Sequence, residues 1–263
     1  MHTVLVALFL LAVSAPSAFA PAFPQAPAPQ QSRPGDPSPG ERTLLDAVNK
    51  ERVTRRLRPL KWDPALARAA RAHAELMARN NAISHQFPGE PGLSVRASSA
   101  GARFRLIEEN VGVASNVLEL HDLWMKSTAH RDNLLNAQVD HAGFALVDGS
   151  EGRLFGVEDF AKLTPKLTLD EQERRVEGLL AAKGLRVDKA AASLRKTCEL
   201  DRGVAPGDHP KYLLRYIAAD LDALPEELVA EVDKGGYEAA AVGACESDEN
   251  ATFAQYRIAV ELF

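Results

Sequence analysis

The stretch VNKERVTRRLRPLKWDPALARAARAHAELM, residues 48–77, contains two predicted helices separated by a break at Pro59. Apolar side chains recur at helical spacing before the break, which predicts a surface helix with one buried stripe. The second helix begins after Asp63, a favoured N-cap residue, with Pro64 at its first position. Its predicted buried face comprises Leu66, Ala69, Ala70, His73, Leu76 and Met77. We interpret His73 on this apolar face as a hydrogen-bonded core residue rather than a ligand.

The segments that follow alternate between loops and regular structure. The Gly- and Pro-containing stretch AISHQFPGEPGLSVRASSAGARF is a predicted loop with a short helix at Ser94–Ala100. RLIEENVGVAS predicts a short strand or turn, and NVLELHDLWMKS restores helical periodicity. HAGFALVDGSEGRLFGVEDF is typical of a β-hairpin that turns at Asp148–Gly152. Helices therefore precede an antiparallel pair of strands.

Taken together and in this order, the motifs resemble the CAP superfamily of cysteine-rich secretory proteins, antigen 5 and pathogenesis-related 1. The similarity rests on VNKERVTRRLRPLKWDPALARAARAHAELM, SHQ, EEN, LWMKSTAHRDNLLN and the hairpin AGFALV…LFGVEDF. It is greater to the cysteine-poor bacterial SCP branch, and it covers roughly Leu44 to Phe160. The resemblance implies an α+β fold, a three-layer α-β-α sandwich, for residues 41–163.

The resemblance also implies a cleft and the residues that line it. The family pattern falls on His85 of SHQ, Glu109 of EEN, Ser127 of WMKS and His130 of STAHR. Many eukaryotic members carry the last histidine in a GHYTQ strand, whereas the strand RLFGVEDF here has none. The bacterial branch has HR after the tryptophan helix instead. Whether His130 faces the cleft stays open at this point.

Several chemistries are open to this set of residues. His85, His130 and Glu109 are suitable ligands for Zn²⁺ or another divalent cation. Without a metal, Glu109 and a histidine could act as an acid/base pair. A nucleophilic role for Ser127 lacks support because no nucleophile elbow is present. Asn110 and Arg131 are interpreted as structural, the first bonding to backbone and the second to the carbonyls of its own helix or to a carboxylate.

The two ends of the chain give different signals. Residues 1–20 have an apolar run that ends in Ala-Phe-Ala, which predicts a cleaved signal peptide, with an uncleaved anchor as the alternative. Residues 21–40 are rich in Pro and Gln and predict an extended linker. We therefore expect a secreted, periplasmic or extracellular protein without a transmembrane segment after signal removal. A net charge of -5 without a basic stripe argues against nucleic acid as a partner.

Residues 164–263 predict a C-terminal α+β module outside the resemblance. We expect a helix in LTLDEQERRVEGLLAAKGL, one or two helices in HPKYLLRYIAADLDALPEELVAEVDKG and a closing hairpin. VDHAGFALV and VDKGGYEAA share a pattern that would fit a degenerate half-repeat. The chain's only cysteines, Cys198 and Cys245, predict a disulfide because an exported chain meets oxidising conditions.

The leading functional hypothesis is a CAP-type cleft that binds a ligand, with or without a divalent ion and without established catalysis. The ligand would be a small molecule, a lipid or cell-envelope material. One alternative is a metal-assisted hydrolase acting on peptide or cell-envelope substrates, and another is a secreted lipid-binding or adhesive protein. Whether the protein is an enzyme is left undecided, since one fold hosts many functions.

Overall fold

The computed structural model describes residues 35–187, 191–207, 209–247 and 253–263. The predicted signal peptide and residues 21–34 of the predicted linker lie outside these ranges. The first helix begins at Pro39, so the predicted linker extends two residues too far. In the described ranges, none of the helices combines the length and apolar character needed to span a bilayer.

The N-terminal module is a four-stranded sheet with helices on both faces. The sheet has the order β1-β3-β4-β2, in which β1 pairs parallel to β3 and the other pairs are antiparallel. Its elements in chain order are α1 (Pro39–Thr54), β1 (Lys61–Trp62), α2 (Pro64–Asn80), α3 (Leu93–Ser99), β2 (Phe104–Ala114), α4 (Val117–Lys126), α5 (Thr128–Leu134), β3 (His141–Asp148) and β4 (Leu154–Leu163).

Local signals account for most of these boundaries. Ser38 and Glu41 form a capping box at the start of α1. The Asp63 carboxylate accepts from the backbone N–H groups of the first turn of α2, at 2.9 Å from Ala65 and 2.8 Å from Leu66, which confirms the predicted cap. The hairpin between β3 and β4 turns where it was predicted. The region predicted as a short strand or turn is instead the 11-residue strand β2.

Two apolar cores lie on opposite faces of this sheet, and they confirm the three-layer α-β-α sandwich. Helices α1 and α4 pack on one face, where the core comprises Leu44, Val48, Leu120, Trp124, Phe144 and Phe160. Helix α2 packs on the other face, where the core comprises Ala70, Ala74, Met77, Val111, Ala145, Phe155 and Val157. Burying apolar side chains on both faces is what stabilises such a layered domain.

The C-terminal module repeats this topology. Its sheet has the order β5-β7-β8-β6, again with one parallel pair of two-residue register and two antiparallel pairs. Its elements in chain order are α6 (Leu169–Ala182), β5 (Arg186–Val187), α7 (Ala191–Glu199), β6 (Tyr212–Ala218), α8 (Glu226–Asp233), β7 (Ala239–Cys245) and β8 (Tyr256–Leu262). The shared order of helices and strands, and the shared sheet order, favour the degenerate half-repeat as an interpretation.

The stretch HPKYLLRYIAADLDALPEELVAEVDKG, expected to contain one or two helices, contains one helix, α8, and a strand that was not predicted. Tyr212–Ala218 is strand β6, paired antiparallel to β8. Its Tyr212, Leu214 and Tyr216 pack against the module's core, the alternation that a half-buried strand requires. A short run of aromatic and aliphatic residues is compatible with the period of a helix and with that of a strand. Pairing with β8 selects the strand.

The predicted disulfide is present. Cys198 at the end of α7 is bonded to Cys245 at the end of β7, with Cα atoms 5.8 Å apart. Both residues are buried against Ala259 of β8. The bond therefore fastens helix α7 to its sheet.

Helix α2 approaches β3 so closely that only glycine fits at position 143. A Cβ at Gly143 would lie 2.1 Å from the Ala67 nitrogen and 2.4 Å from the Leu66 carbonyl carbon, both backbone atoms. Gly243 on β7 has the same relation to α7, where a Cβ would lie 2.4 Å from the Leu194 carbonyl carbon. In both modules the distance between the sheet and its second helix is thus set by backbone contact.

We predict that Gly143→Ala destabilises the protein by about 3 kcal/mol, near the upper end of overpacking costs, because helix α2 must move away from the sheet. Gly178→Ala is the matched control. Gly178 lies in α6 with nothing within 4 Å of a Cβ, so this change is expected to stabilise by roughly 0.5–1 kcal/mol. Urea unfolding of the three proteins measures both effects. Equal stability of Gly143→Ala and the wild type would contradict the close approach.

Candidate functional site

An exposed histidine and a buried glutamate form the centre of the candidate cleft. His85 lies in the segment between α2 and α3, and Glu109 lies in the middle of β2. Their side chains meet at 2.9 Å between His85 Nδ1 and Glu109 Oε1. The Glu109 side chain is 3% exposed, whereas the His85 side chain is 62% exposed. A fixed carboxylate therefore orients an imidazole whose outer edge faces solvent.

Arg96 of α3 holds the other oxygen of the same carboxylate. Its guanidinium donates to Glu109 Oε2, and its side chain is only 6% exposed. The same group donates to the backbone carbonyls of His85 at 3.1 Å and Pro91 at 3.3 Å. The segment that carries His85 is thus tied to Glu109 through both a side chain and the backbone.

Glu90 extends this cluster into the core. Its Oε1 lies 2.7 Å from Nδ1 of His73, and its Oε2 accepts from the Phe87 N–H at 2.9 Å. The other ring nitrogen of His73 lies 2.7 Å from the Ser84 carbonyl oxygen. His73 is fully buried, so its interpretation as a hydrogen-bonded core residue is confirmed. Its partners fix the loop on both sides of His85, at Ser84 and at Glu90.

Asn110 connects the opposite face of β2 to helix α5. Its Nδ2 donates to the His130 carbonyl and to Glu158 Oε2, each at 3.0 Å. Asn133 of α5 donates to Asn110 Oδ1 at 3.0 Å and to the Glu109 carbonyl at 3.2 Å. The structural role expected for Asn110 therefore includes the bond to backbone, and it places α5 beside the edge strand that carries Glu109.

His130 lies within electrostatic range of His85. Its pKa is lowered, first by desolvation and then by the nearby positive charge of His85. Ser127 lies where α4 ends and α5 begins, and its side chain makes no hydrogen bond to the other three predicted site residues within the described ranges. Arg131 of α5 donates to the Met125 carbonyl at 3.0 Å, which belongs to the preceding helix α4 and not to the helix of Arg131 itself.

Two buried acids of β4 lie next to this site, one on each face of the sheet. Glu158 is fully buried, and burial raises its pKa to about 8 despite the hydrogen bond from Asn110. Asp159 pairs with Glu109 in the strand register. Burial raises the pKa of Asp159, and the charge of Glu109 raises it further. Both environments favour the protonated form of the acid over the charged form.

Sequence reasoning missed Arg96, Glu90 and the acid pair of β4. Glu90 and Arg96 lie in a loop and a short helix whose composition gives no motif. Glu158 and Asp159 did carry a signal. Adjacent acids within the apolar strand LFGVEDF must include one on each face, and a buried acid in such a strand is unusual.

The residues predicted to bind a metal do not form a ligand set in this arrangement. Within residues 35–187, 191–207, 209–247 and 253–263, no three His, Cys, Asp or Glu side chains are grouped so that they could hold a metal ion. Both oxygens of Glu109 already have partners, the His85 ring and the Arg96 guanidinium. We derive no chemical step through a metal, and zinc binding at this cleft stays a prediction.

Comparison with known proteins gives one family. The model of the cysteine-rich secretory protein family, CAP, matches residues 45–160. "Uncharacterized protein YkwD" of Bacillus subtilis (strain 168) is 30% identical over 118 residues, which are 44% of this chain and 46% of that protein. "Uncharacterized membrane protein YlbC" of the same organism is 33% identical over 106 residues, 39% of this chain and 30% of that protein. The chain therefore spans less than half the length of these relatives.

Two solved structures illustrate the structural similarity. An outer surface protein from Borrelia burgdorferi is 20% identical with a TM-score of 0.45, and the match covers 48% of this chain and 93% of that one. An extracellular protein containing a SCP domain from Bacillus anthracis is 28% identical with a TM-score of 0.43, covering 49% of this chain and 45% of that one.

We predict that the stabilisation by the His85–Glu109 pair depends on pH. The hydrogen bond to Glu109 raises the pKa of His85 although desolvation opposes it. A group whose pKa is raised by folding stabilises the fold below its ordinary pKa of about 6.5. That contribution is lost as pH rises through the folded value. His85→Gln should therefore cost more stability near pH ~5.5 than near pH ~8.5, by at most about 1 kcal/mol because the ring is exposed.

Urea unfolding of the wild type and His85→Gln at both pH values measures this difference. His209→Gln, at an exposed histidine of the C-terminal module, is the matched control and should show no such dependence. An equal effect of His85→Gln at the two pH values would contradict the pairing.

Proposed function

We propose that this chain, whose residues 45–160 match the model of the CAP family, is an exported CAP/SCP-domain protein whose His85–Glu109 cleft binds a ligand. The observation that supports this proposal is the exposed His85 imidazole, which is held by the buried Glu109 carboxylate. The other oxygen of that carboxylate is hydrogen-bonded to Arg96. Preorganised polar groups of this kind fix the orientation of a small ligand at little entropic cost.

Two exposed apolar side chains close in sequence to the cleft residues favour a ligand with an apolar part. Ile83, two residues before His85, and Val95, next to Arg96, are both exposed apolar side chains. A ligand that contacts His85 with a hydrogen-bonding group could cover these side chains with an apolar portion. Lipids and the peptide-linked sugars of the cell envelope both have this composition.

Binding is favoured over catalysis by the state of Glu109. A general base needs an available carboxylate oxygen, and both oxygens of Glu109 are engaged. The hydrolase alternative retains one supporting observation, since a carboxylate that orients a histidine is an arrangement used in acid/base catalysis. Among the residues that the structure describes, no nucleophile and no donors aimed at an oxyanion are positioned at the cleft.

Export is supported by two features of the chain. The apolar run and small residues of positions 1–20 are typical of a signal peptide. The disulfide between Cys198 and Cys245 is of a kind that persists in oxidising compartments. A secreted, periplasmic or extracellular location fits both features.

Titration calorimetry with two defined probes tests the binding proposal. The probes are soluble muropeptides and short-chain phospholipids. We expect the wild type to bind one of these classes, and His85→Ala to weaken that binding by about tenfold or more. His209→Gln should bind as the wild type does. If neither class binds, or if His85→Ala binds equally well, the cleft is not the ligand site.

We also predict that the protein shows no peptidase or peptidoglycan hydrolase activity above a Glu109→Gln control, with or without zinc. The physical reason is that Glu109 is occupied and that oxyanion donors are missing from the described cleft. Release of labelled peptide and of muropeptides measures both activities. A reproducible rate that Glu109→Gln abolishes would favour the hydrolase alternative.

A further inference from the structure

We infer that Arg96 is a built-in cation of the cleft, which occupies the Glu109 carboxylate and so competes with a divalent metal ion for it. The inference concerns the same cleft as the proposed function, but it requires no particular ligand.

The first observation is where the guanidinium lies. Arg96 reaches from α3 to the oxygen of Glu109 that His85 does not contact. Its side chain and that of Glu109 are both almost completely buried. An ion that coordinated Glu109 directly through this oxygen would have to take the position of the guanidinium.

The second observation is how firmly the guanidinium is held. Besides Glu109, it donates to the carbonyls of His85 and Pro91 and lies 3.7 Å from Glu90. Two carboxylates and two carbonyls therefore surround one cation. Moving Arg96 aside would take a donor from Glu109 Oε2 and from the carbonyls of His85 and Pro91, and buried groups that lose a partner are costly.

The fixed positive charge of Arg96 also opposes a metal ion. An arginine side chain stays protonated in proteins, so its charge cannot be released to make way for a metal ion. A divalent ion near the buried guanidinium is repelled by it, and the low dielectric of the interior strengthens the repulsion. Because the charge of Arg96 already offsets that of Glu109, the cleft attracts a second cation less strongly. His85 keeps its bond to Glu109 through the other oxygen.

The inference predicts that removing the guanidinium uncovers a metal site. With Arg96→Gln, the freed oxygen of Glu109 joins His85 and the nearby His130 as a possible donor. We expect Arg96→Gln to bind zinc about tenfold more tightly than the wild type, or better. Arg96→Lys, which keeps a charge without the two-pronged geometry, should show a smaller gain. The double variant Arg96→Gln with His85→Ala should lose the gain.

Calorimetric titration with zinc chloride near neutral pH measures these affinities, with circular dichroism to verify folding. Arg68→Gln is the matched control. Arg68 lies on α2 and donates to the Ala100 carbonyl at 2.8 Å, but it has no carboxylate partner among the described residues. It should bind zinc as the wild type does. Equal affinities of folded Arg96→Gln and the wild type, or an equal gain in Arg68→Gln, would overturn the inference.

If both Arg96 variants fail to fold, the wild type decides. Zinc affinity that is the same in the wild type and His85→Ala supports the inference, whereas a micromolar site that His85→Ala abolishes overturns it. The zinc titration uses no organic ligand. Failure of this inference is therefore distinguishable from failure of the muropeptide and phospholipid titrations.

Discussion

The geometry of the cleft depends on the alternation of side chains along strand β2. Successive residues of a strand point to opposite faces of the sheet. Glu109 therefore joins Arg96 and His85 on the face covered by α2 and α3, while Asn110 reaches α5 on the other face. β2 is an edge strand, and His85 contacts it on one face through Glu109 while the His130 carbonyl contacts it on the other face through Asn110. A register shift of one residue would exchange the two polar sets and dismantle the site.

The sequence predicted the parts of this structure that depend on neighbours along the chain. The Asp63 cap, the hairpin turn and the helical stripes are local signals, and the structure confirms them. The pairing of His85 with Glu109 came from the family resemblance rather than from spacing. Arg96 could not be predicted, because its role depends on a carboxylate from another element and on two loop carbonyls brought together only by the fold. Strand β6 was missed because it depends on pairing with β8, which is distant in the sequence.

The two modules share a topology, but in the described part of the C-terminal module no pair corresponds to His85 and Glu109. Positions in the two sheets can be compared by counting from the first pair of each parallel ladder, which is Lys61 with His141 in one module and Arg186 with Ala239 in the other. Two residues further along β3, Gly143 pairs with Asp159 of β4, which pairs with Glu109 of β2. At the corresponding positions of the C-terminal module, Ala241 of β7 pairs with Glu261 of β8, which pairs with Leu213 of β6. The next position replaces Asn110 and Glu158 by Leu214 and Val260. Counted in this way, an acid occupies the central strand of both modules, whereas the two positions of β6 that correspond to Glu109 and Asn110 are leucines. This pattern is consistent with a module retained for packing or for a partner.

The disulfide gives the modules different dependences on their surroundings. Helix α7 is attached to β7 covalently, whereas α2 is held over β3 by packing and hydrogen bonds, since the chain's only two cysteines both lie in the C-terminal module. A disulfide contributes to stability only where oxidising conditions maintain it. The redox state of the compartment therefore acts directly on the attachment of α7 to its sheet, and the layers around Glu109 contain no bond that reduction would break.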